Sequence, residues 1–299
     1  MTPKKWLALR LLADCRLLSL PQLALLLEDG NARPRSAREK SARRHLRPLV
    51  DAGLIAVLPV SRASLAGADE PNDETLLYGS APNVYTVTAR GVRALAEEGV
   101  VDESYKARAY PAYGPKNALF LAHELMVRDS RVWLERLLYP HPGSKVLRWE
   151  DGPDAALALA SGSAVRPDAW FVFQTGDTPA SPKLIGLVEA DRRSERNPRR
   201  WTEKASFYAE LFLKEGGVEA ATGYRHARVL VLTPDAARRD SLAALIFGEC
   251  ESLGHPDLAG RFWLAARADL LGSDLHSPLW RVAGTDCLSP MMRHAGEKG

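Results

Sequence analysis

The sequence predicts an α+β chain: a small basic module of helices and a two-stranded ribbon, followed by a larger α/β domain. Three observations carry this. Helix-like segments with capping signals come first, and two alternating apolar runs follow them. Strand-like and helix-like segments then alternate from residue 145 to residue 266. Charge is also segregated: residues 1–60 hold 11 basic and 5 acidic side chains, residues 61–99 hold 3 and 6, and residues 100–299 hold 26 of each. The net +3 over 299 residues therefore conceals a basic N-terminus, and local charge sets the field that a partner meets.

Trp6, Leu7, Leu9, Leu11 and Leu12 open a first amphipathic helix that ends near Cys15. Ser19-Leu-Pro-Gln22 reads as a capping box starting a second helix, which carries Leu23, Leu26 and Leu27 and stops at Asp29-Gly30. Ser36-Ala-Arg-Glu39 reads as a second capping box. Its helix turns Leu46, Leu49 and Val50 inward and ends at Gly53, placed for a left-handed residue. Pro48 predicts a kink or break there, because it removes the hydrogen bond to the Arg44 carbonyl. Leu54–Val60 and Asn83–Thr88 alternate as two strands, and Thr88 caps a fourth helix closed by Gly99.

Three helices and a two-stranded ribbon make the order of a winged helix-turn-helix, whose third helix enters the major groove of double-stranded DNA. The charge lies on that element. Arg33, Arg35, Arg38, Lys40, Arg43, Arg44 and Arg47 face one acid, Glu39, and Ser36, Ser41 and His45 add short polar groups. Arginine and lysine read guanine edges or neutralise phosphates, and both uses make binding salt-sensitive. A merely solvated charged helix face is the alternative. The 61–82 segment is long for a wing and acidic through Asp69, Glu70, Asp73 and Glu74.

Residues 1–99 thus form the first domain, 100–115 a linker, 116–288 the second domain, and 289–299 a flexible tail. In the second domain a helix is expected from about Asn117 to Tyr139. Strands are expected at Lys145–Trp149, Val165–Phe173, Leu184–Asp191, Arg228–Thr233 and Phe262–Ala266, with helices at Pro198–Lys214 and Ala236–Glu249. The informative element is a hairpin. The midpoint of Asp168 and Glu189 coincides with the centre of the polar loop 175–182, so a symmetric hairpin sets the two carboxylates opposite each other on one face. Period-two alternation adds Asp191 to that face. Three converging carboxylates repel one another unless a divalent cation, Mg²⁺ or Mn²⁺, sits among them. Alternatively, Glu189 and Asp191 lie beyond the sheet and pair with Arg192 and Arg193.

A basic, aromatic stretch follows, in which Arg193 and Arg200 are candidate DNA contacts and Arg200, Lys204 and Tyr208 share a helix face. Cations beside metal-binding carboxylates suit a scissile phosphate. Other chemistries score poorly: His123-Glu124 lacks the second histidine of a zincin, and there is no phosphate-binding Walker loop, GxGxxG or GxSxG. Three scattered cysteines point to a reducing, cytoplasmic setting. No apolar stretch of about 18 residues spans a membrane.

Pro167-Asp168 and Glu189-Ala190-Asp191 in this context resemble the PD-(D/E)xK nuclease superfamily. With Val84-Tyr-Thr-Val-Thr-Ala-Arg-Gly91, Arg166-Pro-Asp-Ala-Trp-Phe171, Val188-Glu-Ala-Asp-Arg192 and Trp201-Thr-Glu-Lys204, the chain is similar to the replication-relaxation family of plasmids and integrative elements, which includes MobC-type mobilisation relaxase-like proteins. The resemblance covers roughly residues 5–250. It implies a winged helix-turn-helix followed by a restriction-endonuclease-like α/β domain. It also implies Mg²⁺- or Mn²⁺-dependent DNA nicking through Asp168, Glu189 and Asp191. The superfamily lysine is absent, since Asp191 occupies its position. Some members of the superfamily keep activity with an acid there; in others the lysine moves to the following helix, which implies Lys204 as the replacement. The resemblance implies Glu124, or less well Glu150, as the residue that completes the metal shell. Loss of that lysine is also how such domains become inactive binding modules, which leaves a non-enzymatic replication or transcription regulator as the other reading. Besides DNA, the implied partners are a second copy of the chain or replication and mobilisation proteins.

Overall fold

The computed structural model describes residues 1–28, 34–58, 60, 83–101, 118–139, 141–159, 161–192 and 199–292. The protein is mixed α+β and divides into two compact units, Met1–Val132 and Trp133–Gly299. Among the described residues no helix is long and apolar enough to cross a membrane.

In the first unit, α1 (Pro3–Cys15) leads through Arg16 into a three-residue strand β1 (Leu17–Ser19) that the sequence pattern did not reveal. The Ser19 capping box forms as expected: the Ser19 N–H donates to Gln22 Oε1 at 2.9 Å, and the Gln22 N–H donates to Ser19 Oγ at 3.4 Å, opening α2 (Leu20–Leu27). The second expected box does not form. The third helix, α3 (Arg35–Asp51), begins at Pro34, which offers no side-chain cap. Ser36 therefore already lies inside the first turn, and Glu39 binds Arg35 at 2.8 Å and Arg43 at 3.5 Å instead. Nor does Pro48 break α3: Arg44 and Pro48 are both exposed, so water can satisfy the carbonyl that loses its donor. The helix ends in a Schellman motif, with the Gly53 N–H on Val50 O, the Leu54 N–H on Leu49 O and Gly53 at φ 67°.

Strands β2 (Ile55–Leu58) and β3 (Val84–Val87) fall inside the two expected runs. The antiparallel order is β1-β3-β2. Thr88 caps α4 (Ala89–Glu97) by accepting from the Gly91 N–H at 3.1 Å. The next helix, α5 (Ala118–Leu137), crosses the boundary between units. Gln22 ties its earlier part to the first unit by donating to Leu125 O at 2.8 Å and to Asp129 Oδ1 at 2.7 Å. The division thus falls within α5. The expected linker 100–115 lies outside the described residues from 102 onward, as does the acidic insert 61–82.

The second unit is built on a seven-stranded sheet. Its elements are β4 (Lys145–Asp151), β7 (Ala169–Gln174), β8 (Lys183–Ala190), β9 (Arg228–Thr233), β10 (Phe262–Ala266), β11 (Trp280–Val282) and β12 (Leu288–Ser289), in the order β12-β11-β10-β9-β8-β7-β4. Strands β8, β9 and β10 run parallel and the outer pairs antiparallel. The expected strand 165–173 is two strands. Val165 belongs to β6 (Ala164–Val165), which pairs with β5 (Leu157–Ala158), and β7 starts only after Arg166-Pro167, because proline gives no N–H to a ladder. Of the expected tail, the described residues are packed: Ser289 pairs with Trp280 and Met291 is buried, while 293–299 lie outside the described residues.

On one face of the sheet, α6 (Arg199–Leu213) and, after the short α7 (Gly217–Thr222), α8 (Ala236–Ser252) cover Trp170, Val172, Ile185, Leu187, Val229 and Val231 in a single buried cluster. The opposite face carries Phe171, stacked on Trp149 at 6.2 Å, and Gly186, where a Cβ would strike the Phe171 ring.

Gly91 is a packing glycine. A Cβ there would collide with the Leu54 carbonyl oxygen and lie 2.9 Å from Leu9 Cδ1 and Val87 Cγ2. Gly91→Ala is expected to destabilise the first unit by about 1–3 kcal/mol, measured as a lower denaturation midpoint.

Candidate functional site

Hairpin register builds the site. Strands β7 and β8 pair from Gln174↔Lys183 to Ala169↔Val188, so the next residues outward are Asp168 and Glu189, as the loop symmetry predicted. An Asp168 carboxylate oxygen accepts from the Ala190 N–H at 2.8 Å, which fixes it against the end of β8. By alternation Glu189 and Asp191 share the face of Ile185 and Leu187, beneath α6 and α8.

Glu189 is 2% exposed. Two residues one turn apart on α6 satisfy it: Lys204 Nζ lies 2.8 Å from Oε2, and the Tyr208 hydroxyl donates to Oε1 at 2.7 Å. Lys204 is 29% exposed, so the pair opens to solvent through the lysine. Burial pushes the Glu189 pKa up to about 7, Lys204 opposes the rise, and the Asp168 charge adds to it. Burial and then Glu189 raise the Tyr208 phenol well above its ordinary value, keeping it a hydrogen-bond donor.

Asp191 has different company. Its Oδ2 accepts from Arg238 Nε at 3.0 Å, from Arg238 Nη2 at 2.6 Å and from Trp201 Nε1 at 3.1 Å. The three carboxylates thus share one face, but a lysine claims one and an arginine another. Among the described residues, no group of three or more His, Cys, Asp or Glu is placed to hold a metal ion. Of the other acids named from sequence, Glu124 is bound by Arg128 at 3.0 Å in the first unit, and Glu150 by Arg148 at 3.2 Å in the second. Arg200 is exposed at the start of α6, and Arg193 lies outside the described residues. Arg238 was missed from sequence, as it lies 47 residues from Asp191 with no local pattern to mark it.

In the first unit, α3 buries Ala42, Leu46 and Leu49 and exposes Arg35, Ser36, Lys40, Arg43, Arg44 and Arg47; Arg38 is half-buried. Glu39 takes Arg35 and Arg43, and Asp51 lies 3.9 Å from Arg47. Among the described residues Lys40 and Arg44 form no ion pair, so the outward stripe keeps net positive charge. Ser41 is turned inward toward Glu28 at the end of α2. Burial opposes ionisation of Glu28, but Ser41, Lys4 and His45 outweigh it and hold the carboxyl below its usual range. Arg33 lies outside the described residues.

A carboxyl whose pKa is raised by folding binds its proton more tightly folded than unfolded. Stability therefore falls as pH rises from the usual carboxylate range through about 7. In chelator-containing buffer the protein is expected to lose thermal stability between about pH 5 and about pH 7.5. Glu189→Gln should flatten that slope and raise the midpoint at the alkaline end. Melting curves across pH check both.

No curated protein and no solved structure matches the chain. The replication-relaxation family model matches residues 9–226, which includes α3, the β7–β8 hairpin and α6. With more than half of its length matched, the chain belongs to the replication-relaxation family.

Proposed function

We propose that this is a DNA-binding protein acting in replication or mobilisation of a plasmid or mobile element, with a metal-dependent DNA-nicking domain. The observation that carries the nicking part is the Lys204–Glu189–Asp168 constellation: a buried carboxylate ion-paired at 2.8 Å to a partly exposed lysine, with a second carboxylate opposite it across the hairpin. Family membership supports the replication or mobilisation role. The order α6 after the meander β4-β7-β8, then β9, supports a PD-(D/E)xK arrangement.

The donor set suits Mg²⁺ or Mn²⁺ held by Asp168 and Glu189. Burial is the main cause of the raised Glu189 pKa and the Asp168 charge adds to it, and hard cations of this size accept two carboxylates with water and substrate oxygens completing the shell. When bound, such an ion polarises the phosphoryl group and acidifies a water molecule. The chain's own residues have separate tasks. Tyr208 holds Glu189 in one orientation. Lys204 presents its ammonium at the solvent edge, where it can stabilise charge developing on the phosphate. Asp191, neutralised by Arg238, fixes α6 and α8 against the sheet and is a positioning residue in this scheme.

The first unit is proposed as the winged helix-turn-helix that selects the DNA. Its α3 stripe of Lys40, Arg43, Arg44 and Arg47 lies in the groove, and β2–β3 form the base of the wing. A second reading is favoured by the Arg238 clamp: with Asp191 neutralised and Lys204 closing on Glu189, the second unit is an inactive nuclease-like domain that serves dimerisation or partner binding, and the protein is a non-enzymatic regulator.

Nicking of supercoiled plasmid carrying the cognate sequence, with Mg²⁺ or Mn²⁺, separates the two. The nuclease reading expects activity that Asp168→Ala and Glu189→Ala abolish and Lys204→Ala lowers by about 100-fold or more. A wild-type protein that binds the sequence but never nicks it leaves the regulator.

For the first unit, Lys40→Ala and Arg44→Ala should each lower the slope of log affinity against log salt by about 1 in a fluorescence-anisotropy titration. Unchanged slopes would remove α3 from the interface.

A further inference from the structure

A second cluster of cations lies on the second unit, at the opposite end of the same strands. Where β8 and β9 begin, a cavity of about 380 Å³ is rimmed by Lys183, His226, Arg228 and Arg261, and no Asp or Glu is among its described lining residues. Ile185 at this cavity and Glu189 at the carboxylate site are four residues apart on β8, roughly 13 Å along the strand. The two sites are therefore distinct.

Arg228 is the fixed part. Its guanidinium lies 4.1 Å over the Trp263 ring, and Nη1 donates to the Met291 carbonyl at 2.9 Å. Among the described residues it meets no carboxylate. Burial, and then the charge of Arg261, lower its pKa, so a second cation beside it is uncompensated. Arg261 is exposed and rests near the Phe212 ring at 5.8 Å, a position from which it can turn to a ligand. The adjoining rim carries two acids, Glu215 and Glu219, of which Glu219 is taken by Arg225 at 3.6 Å. Lys183 is held at the mouth by the carbonyls of Pro179 and Ser181.

Size and lining narrow the ligand. The volume falls in the range of small-molecule pockets, more room than a bare phosphate ion needs. The wall between the cations is apolar, made by Leu184, Ile185, Met291 and Met292. Met291 is buried with its sulfur 3.0 Å from Arg228 Nη1, whereas Met292 is partly exposed, and its polarisable thioether suits a flat ring. We propose that this cavity binds the phosphate monoester of a nucleotide, with Arg228 and Arg261 on the phosphate and the base against Met292. A free mononucleotide and the 5′-phosphate end of a DNA strand present the same group.

Titration calorimetry on the full chain with thymidine monophosphate, inorganic phosphate and short oligonucleotides with and without a 5′-phosphate tests this. Expected is saturable binding of the mononucleotide, tighter than inorganic phosphate, weakened about tenfold or more by Arg261→Ala and by Arg228→Met. Arg261 is exposed, so its variant reads the site even if Arg228→Met fails to fold. Binding should persist in Asp168→Ala/Glu189→Ala, which separates this site from the proposed nicking centre. An oligonucleotide that binds tighter than the mononucleotide, and only with its 5′-phosphate, identifies a DNA end as the source. Comparable binding of the free mononucleotide identifies that instead. Absence of saturable binding by any phosphate monoester, or binding indifferent to Arg261→Ala, overturns the proposal.

Discussion

Glu189 is a carboxylate at 2% exposure near the end of a central strand, and the second unit is arranged around making that burial tolerable. An ion taken out of water costs several kcal/mol unless close partners replace the lost hydration. Those partners, Lys204 and Tyr208, come from successive turns of α6, so satisfying one acid fixes the helix in both rotation and translation along the sheet. Trp201, nearly one turn before Lys204, then falls on Asp191, and Arg238 brings α8 to the same oxygen. The polar contacts that make two buried acids bearable also hold the helical layer in place. The apolar cluster beneath, from Trp170 to Ile246, supplies the bulk of the driving force but is less directional.

The first unit is held in a similar way by one uncharged side chain. Gln22 closes the capping box through Oε1, and its Nε2 reaches the Leu125 carbonyl and Asp129. One buried side chain therefore starts α2 and attaches α5. Gly91 lets the start of α4 approach the Leu54 carbonyl, which no larger residue allows. With Ala42, Leu46 and Leu49 committed to the core, the cations of α3 are left on its outer side.

Much of this was legible wherever the signal is local. The Ser19 box, the Gly53 and Gly99 stops, and the strands Arg228–Thr233 and Phe262–Ala266 follow from capping chemistry and period-two alternation, each of which acts within a few residues. The hairpin register was legible too, because a polar loop has a centre and antiparallel strands are symmetric about it. Misreadings arose where two local signals compete. Ser36-x-x-Glu39 has the letters of a box, but Pro34 starts the helix earlier and arginines one turn away outbid the backbone for Glu39. Val165 continues an apolar run, yet Arg166-Pro167 ends the ladder and sends it to Leu157. Strands of two or three residues, such as β1 and β12, are too short to show a period at all.

The sequence by itself determined which side chains share a face: Asp168, Glu189 and Asp191 on one side of the hairpin, and a cationic stripe opposite the leucines of α3. Strand and helix periods are properties of the backbone, and neighbouring residues suffice to set them. Only the tertiary structure decided what those side chains meet. The three acids read as one cage, and packing divided them, giving Glu189 to Lys204 and Asp191 to Arg238. The energy of an ion pair depends on separation and on surrounding dielectric. Both are set by how α6 and α8 settle on the sheet, and no spacing along the chain records that.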